Sequence, residues 1–291
     1  EIELVEVPDY SGWAAMWPKL KVPIIARLHG SLTYFAAELG ERVGGTAACL
    51  ERSSLRRADH WCAVSHYVAE KTQGLLQSPL RSVEILYSIV EPPSQNGHVT
   101  RSDRNVLFMG TLTHKKGIAS LIDAWPMVLN RCADAKLHVY GKDGRGENGR
   151  SMTSMLSSRL SEQQLSTVKF HGHVSREKLH DALRKSRLGV FPSYAETFGL
   201  APAESMAWGC PTIYSERTCG REVVRHGKDG LLIDPDKPEQ IANAIIQLLT
   251  DDQLAETLGN AGRQRVEQNF SIKALLPRNI DYFQRCIDNH A

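Results

Sequence analysis

The chain has 291 residues, 42% of them hydrophobic and 23% charged, with a formal net charge of +2. That length accommodates two globular domains with separate cores. The near-neutral balance gives no compositional case for nucleic acid or an acidic polymer as partner.

Taken in chain order, short apolar runs alternate with helical stretches. VPIIARLHG (22–30) ends in a His-Gly turn and predicts a buried strand. GTAACLERSSLRRAD (45–59) predicts a helix with a basic face, HWCAVS (60–65) a strand, HYVAEKTQGLL (66–76) a helix and SVEILYSIV (82–90) a strand. This alternation implies parallel sheets with helical crossovers. EPPSQNGHVTRSD (91–103) interrupts it with Pro, Ser, Asn and Gly, and its composition suits a linker at a domain boundary.

A second α/β unit follows. Strands are expected at 105–110, 135–141, 167–172, 188–193, 210–215 and 230–235. Helices are expected at 117–131, 150–163, 175–186 and 199–208, then at 238–250, 251–269 and 273–290. The expected organisation is a partial first Rossmann-like domain (1–98) and a complete doubly wound domain (104–270). A C-terminal helix (271–291) then packs back toward the first.

No apolar run approaches ~18 residues, so no transmembrane helix is expected, and no signal peptide opens the chain. The first residue is Glu, which suggests a processed product or a fragment. The six cysteines (Cys49, Cys62, Cys132, Cys210, Cys219 and Cys286) show no CxxC and no regular spacing. With an α/β pattern they read as free thiols of a reducing, cytoplasmic compartment.

The chemistry concentrates in YAETFGLAPAE (194–204), where Glu196 and Glu204 flank a strand-to-helix turn. Pro202 is tolerable only in a first turn, so the helix starts near Gly199. The amides of Phe198 to Ala201 and the macrodipole then make an anion site, which Gly199 lets a ligand approach closely. Carboxylates there repel phosphate but accept from hydroxyls. A nucleotide sugar carries both groups. The alternative is that each glutamate merely favours the helix N-terminus by ~0.3–1 kcal/mol. FMGTLTHKKGI (108–118) is a second phosphate candidate, where Lys115 or Lys116 places a point charge beyond a strand ending at Gly110. A solvated lysine pair is its alternative.

Together GTLTHKKG, VKFHGHVSREKL, PSYAETFGLAPAESMAWGCPTI and GKDGLLIDPDKPEQIANAI resemble the retaining glycosyltransferases of family 4, which have the GT-B fold. VPIIARLHGS and ERSSLRRADHWCAVSHYVAEK resemble that family's first domain. The resemblance implies that Glu196 binds donor-sugar hydroxyls and that the amides of Phe198, Gly199 and Leu200 bind sugar and phosphate. Glu204 would hold the ribose. Lys116, after Gly110 and Thr111, would bind the diphosphate, and the backbone of Gly172, His173 and Val174 would face the base. His29 would line the cleft on the acceptor side. The sequence departs from the family at Thr111, where Arg is usual and for which Lys115 can substitute, and at Ser88, where Asn is usual. The family's Gly-rich opening loop and first strands are not present, so the first domain is expected to be incomplete.

Two motifs mislead. GRGENG (144–149) spells GxGxxG, but Lys142 and Asp143 separate it from its strand, and no acidic residue ends the next strand. It reads as a polar loop. Asp234 and Asp236 match an Asp-x-Asp metal pattern but sit in a Pro-containing turn before a helix. No metal and no bound cofactor are expected. The basic face carrying Arg52, Arg56 and Arg57 is either a solvated helix face or an attraction for anionic lipid.

The sequence therefore implies a metal-independent retaining hexosyltransferase acting on a carbohydrate or lipid-linked acceptor. It implies no nucleic-acid partner and possible contact with the inner face of the membrane. A nucleotide-sugar epimerase of the same fold, or a donor-binding fragment without catalysis, are the alternatives.

Overall fold

The computed structural model describes residues 2–76, 82–93, 101, 104–146 and 149–290. They divide by packing into two units. The first comprises Glu1–Ile89, Ala195–Phe198 and Ile272–Ala291; the second comprises Val90–Tyr194 and Gly199–Ser271.

In the first unit β1 (Val5–Pro8), β2 (Ile24–Leu28), β3 (His60–Ala63) and β4 (Val83–Ile85) form a parallel sheet in that order. The helices are α1 (Leu32–Leu39), α2 (Gly45–Arg57) and α3 (His66–Leu76). Val7, Ile24, Ala26, Leu28, Tyr34, Leu55, Trp61 and Val68 make the core. β1 and α1 have no counterpart among the sequence expectations. β1 is only four residues and ends in Pro8, so its alternation is too brief to read. α1 is short, but its caps are regular: Ser31 Oγ accepts from Tyr34 N–H at 3.0 Å, and Gly40 ends it at φ 69°. The strand expected over 82–90 is shorter than that. β3 stops at Ala63, whose carbonyl takes the Leu86 amide at 2.9 Å, and the ladder ends there.

The second unit holds β5 (Asn105–Met109), β6 (Lys136–Tyr140), β7 (Val168–Gly172), β8 (Leu188–Phe191), β9 (Thr212–Ser215) and β10 (Leu231–Ile233). All pair in parallel, in the order β10-β9-β8-β5-β6-β7. The helices are α4 (Ile118–Leu129), α5 (Met152–Ser157), α6 (Glu162–Leu165), α7 (Arg176–Lys185), α8 (Leu200–Ala207), α9 (Gly220–Val223), α10 (Pro238–Thr250) and α11 (Asp252–Asn269). Ile118, Leu121, Ile122 and Trp125 recur at helical spacing on α4, as do Ile241, Ile245 and Leu248 on α10. They share one core with Val106, Phe108, Leu137 and Val190 of the sheet. The single helix expected at 150–163 is two helices. α5 ends at Ser157, and Ser161 opens α6 through a capping box with Gln164, each side chain bonding the other's backbone amide.

Residues 94–100 and 102–103 of the expected linker lie outside the described residues. Arg101 between them is anchored. Its guanidinium donates to the carbonyls of Leu183, Arg184 and Ser186 at the end of α7, and to Trp208 at the end of α8. A cation there meets the negative ends of two helices. α12 (Ile272–Asp288) belongs to the first unit, where Tyr282 and Cys286 pack with Ile25, Cys62 and Leu86. All six cysteines are free; Cys49 on α2 is exposed and the other five are buried. Among the described residues no helix is long and apolar enough to cross a membrane.

Candidate functional site

The second sheet starts at its centre. From β5 the chain moves outward through β6 and β7, returns to β8 on the other side of β5, and moves outward again through β9 and β10. Strand order reverses between β5 and β8. In parallel sheets the crevice beyond the carboxyl ends of such a strand pair is where ligands bind. Most of the sequence-nominated residues of this unit stand there.

Gly110 follows β5, Gly141 follows β6 and Gly172 ends β7. The Gly110 amide donates to Tyr140 O and the Gly141 amide to Gly172 O, both at 2.9 Å. Three strand ends are thus tied by backbone alone. A Cβ on Gly110 would lie 3.7 Å from Lys116 Cγ, so the Lys116 stem lies along the end of β5. Thr111 is exposed beside it. Lys116 closes a 3-10 turn (His114–Lys116), and Gly117, at φ 68°, opens α4. The loop after β5 is joined to the loop after β8 at several points. The Tyr194 amide donates to Lys115 O at 2.8 Å, and the His114 ring stacks on Tyr194 at 4.8 Å. Gly117 presses on Pro192, where a Cβ would fall 1.7 Å from the carbonyl oxygen.

Gly199 is the N-cap of α8 at φ 84°, and a Cβ there would strike the Tyr214 hydroxyl at 2.3 Å. Only glycine meets both conditions. No side chain caps this end, and the first turn carries Pro202 and no acidic residue. The amides of Leu200 and Ala201 therefore sit where an anion is favoured. Leu200 is exposed. Glu204 lies on the second turn, partly buried. Burial raises its carboxyl above the ordinary range, and Arg176 of α7 opposes that rise.

Glu196 and Phe198 group with the first unit. The Tyr34 hydroxyl donates to Glu196 O and the Ser65 hydroxyl to Thr197 O, both at 2.7 Å. Phe198 is buried against Tyr87, ring centroids 5.9 Å apart. A Cβ on Gly30 would lie 2.4 Å from Thr197 Cγ2, so the His29-Gly30 turn abuts this segment. Partial burial, then Arg27, lowers the His29 pKa, which favours a neutral ring. Asp9 fixes the turn: its two carboxylate oxygens accept from His29 N–H at 2.9 Å and Gly30 N–H at 3.0 Å. Asp9 is fully buried, and burial pushes its pKa up to about 6.

Sequence reasoning missed Asp9, Tyr194 and His114. Asp9 carried little signal, because it follows β1, whose alternation is too brief to read. Gly172 and His173 are exposed and Val174 is half-buried, just before Ser175, which caps α7. The β6–β7 register shifts after Val139, pairing Tyr140 with Gly172 and leaving His171 as the extra residue. His171 bonds His138 at 3.0 Å and stacks on Tyr140 at 4.2 Å. Asp234 pairs with Arg217 and Lys237 and accepts the Asp236 amide, while Asp236 pairs with Arg217. That is a turn held by cations. GRGENG lies partly outside the described residues; Asp143 before it accepts from Ser151 Oγ and Thr153 N–H.

A family model described as "Glycosyl transferases group 1" matches residues 94–265, more than half of the chain. The chain belongs to this family. An uncharacterized glycosyltransferase of Methanocaldococcus jannaschii is 25% identical over 235 residues, 76% of this chain and 58% of that protein. The phosphatidyl-myo-inositol mannosyltransferase of Mycobacterium leprae is 30% identical over 183 residues, 62% of this chain and 46% of that protein. The chain thus spans about half the length of these two relatives. The Anabaena protein HepE, crystallised with UDP and glucose, superposes with a TM-score of 0.76 at 19% identity, covering 91% of this chain and 72% of that one. The fold is GT-B.

Proposed function

We propose that the chain binds a nucleotide diphosphate sugar and transfers its hexosyl unit, with retention, to a hydroxyl of a carbohydrate or lipid-linked acceptor. The observation that carries this reading is the grouping of Lys116, the open N-terminus of α8 and Glu204 around the crevice between β5 and β8. The diphosphate meets the Leu200 and Ala201 amides and Lys116, with Lys115 serving where the family's Arg is replaced by Thr111. Glu204 accepts from ribose hydroxyls, and the base lies toward Gly172, His173 and Val174. Glu196 takes sugar hydroxyls and His29 serves the acceptor side. The acceptor oxygen bonds the anomeric carbon as the bond to the diphosphate breaks, and the acceptor proton passes to the leaving phosphate. The protein supplies positioning and charge stabilisation, with no protein nucleophile and no metal. Membership of the group 1 family and the UDP and glucose bound by the Anabaena protein support this reading. A cytoplasmic setting accords with such a donor.

Calorimetric titration with UDP, GDP, ADP and their hexose conjugates, without metal, tests it. One nucleotide saturates the site, and Glu204→Ala abolishes the binding. Lys116→Ala and Glu196→Ala each lower donor binding or turnover by more than about tenfold, as expected for charge-assisted hydrogen bonds. Near-normal values for both overturn the assignment. Epimerised sugar formed without acceptor replaces it with the epimerase reading.

A further inference from the structure

One aromatic residue at the β5–β8 crevice reaches the loops after β5, β9 and β10 together, and donor binding as described above gives it no role. Tyr194 follows β8 and is half-buried. Its ring stacks on His114, centroids 4.8 Å and planes 18° apart, and the Arg217 guanidinium lies over it at 5.3 Å. Arg217 is itself held by Asp234 and Asp236 in the turn after β10.

The Tyr194 hydroxyl bridges two further elements. It donates to Pro235 O at 3.1 Å and lies 2.9 Å from Ser120 Oγ. A phenol has one proton to give. The Pro235 carbonyl can only accept, so the proton goes there and the Ser120 hydroxyl donates to Tyr194. Ser120 is buried, in the first turn of α4. The bonds therefore run one way, from α4 through Tyr194 to the loop after β10. A phenylalanine would fill the same space and stack on the same ring, but it would not tie these two elements together.

The contacts bracket Lys116. Ahead of it, the Tyr194 ring stacks on His114 and the Tyr194 amide donates to Lys115 O at 2.8 Å. Beyond it, Ser120 bonds the Tyr194 hydroxyl, and Gly117 bears on Pro192, two residues before Tyr194. A lysine carries its charge on a flexible four-carbon stem, so the ammonium is placed only as well as its backbone is fixed. Backbone ordered in advance also lowers the entropy lost when the anion binds.

We propose that Tyr194 is a positioning residue for the diphosphate, on the reading that a nucleotide diphosphate occupies this crevice. It fastens the chain on both sides of Lys116 and so places the lysine's charge.

The test is a pair of double-mutant cycles, read by calorimetric titration with whichever of UDP, GDP and ADP saturates the parent. Tyr194→Leu removes ring and hydroxyl and lowers affinity about tenfold. In a Lys116→Ala background the same substitution changes affinity by less than about twofold, because the charge it places is gone. In a Glu204→Gln background, on the ribose side, it keeps its full effect. Tyr194→Phe and Ser120→Ala each remove the same hydroxyl bond, from opposite ends, and each lowers affinity about threefold. Circular dichroism checks that each variant folds; should Tyr194→Leu not fold, these two milder variants carry the same cycles. Affinity of Tyr194→Leu within about twofold of the parent overturns the proposal. So do equal losses in the Lys116→Ala and Glu204→Gln backgrounds, which a merely structural role would produce. A folded parent that binds none of the three nucleotides overturns the donor reading itself, and this proposal with it.

Discussion

The two units shape their functional loops by different means. In the second, the loops are set by backbone fit: Gly117 against Pro192, Gly199 against Tyr214, and strand ends tied through glycine amides. In the first, buried carboxylates hold them. Asp9 grips the His29 and Gly30 amides, and Glu51 grips those of Leu32 and Thr33. Steric fit does not change with pH. The grip of Asp9, whose pKa burial raises, does. The comparison therefore predicts that the steric joints of the second unit hold at any pH, while the turn that Asp9 holds in the first changes its stability with pH.

The largest effect is expected from Gly117→Ala. Its Cβ would overlap the Pro192 carbonyl, and its φ of 68° strains any side chain. A loss of about 3 kcal/mol or more is expected, read by chemical denaturation. A loss below about 1 kcal/mol would mean the loop yields easily, and backbone fit would not be what shapes it.

Next comes Asp9. Its folded pKa of about 6 lies above the unfolded 3.8, so the native state binds its proton more tightly. The stability it contributes is full below pH 3.8 and is lost as pH rises through 6. The size is about 3 kcal/mol by linkage. Asp9→Asn should remove this slope, so that parent and variant stabilities diverge between roughly pH 4 and 6. Parallel profiles would contradict the contrast between the units. Asp9→Ala orphans the buried Gly30 amide and the part-buried His29 amide and costs about 2 kcal/mol or more at acid pH.

A smaller effect is expected at Glu204, the second unit's own titratable exception. Burial raises its pKa above 4.5, so donor affinity should begin to fall at a higher pH than an ordinary glutamate would dictate. Glu204→Gln should flatten that fall while lowering affinity about tenfold at neutral pH. The smallest is Ser31→Ala, which removes the α1 cap for ~1 kcal/mol. A loss that small sets the scale against which the buried carboxylates are judged.

Much of the second unit was legible because its chemistry is local. FMGTLTHKKGI spans a strand end, a turn and a helix start, and YAETFGLAPAE a turn and a helix start, each within about a dozen residues, and glycine, lysine and proline stand where those turns require them. The first unit was harder. β1 and α1 are brief, and Ala195–Phe198 joins that unit through contacts such as Tyr34 to Glu196, 162 residues apart. No periodicity encodes a bond of that span. The broken helix at 158–161 turned on a capping box, Ser161 with Gln164, whose sequence signature was present and outweighed by helical spacing on both sides.

Cys49 has a practical consequence. It is the single exposed thiol of six, and it stands one residue before Leu50 on α2. A maleimide dye sensitive to its surroundings would label it ahead of the five buried thiols, whose burial keeps them from reagent. The native chain therefore brings its own reporter to the exposed side of α2, and a spectral change there on adding a ligand would be readable without altering a residue.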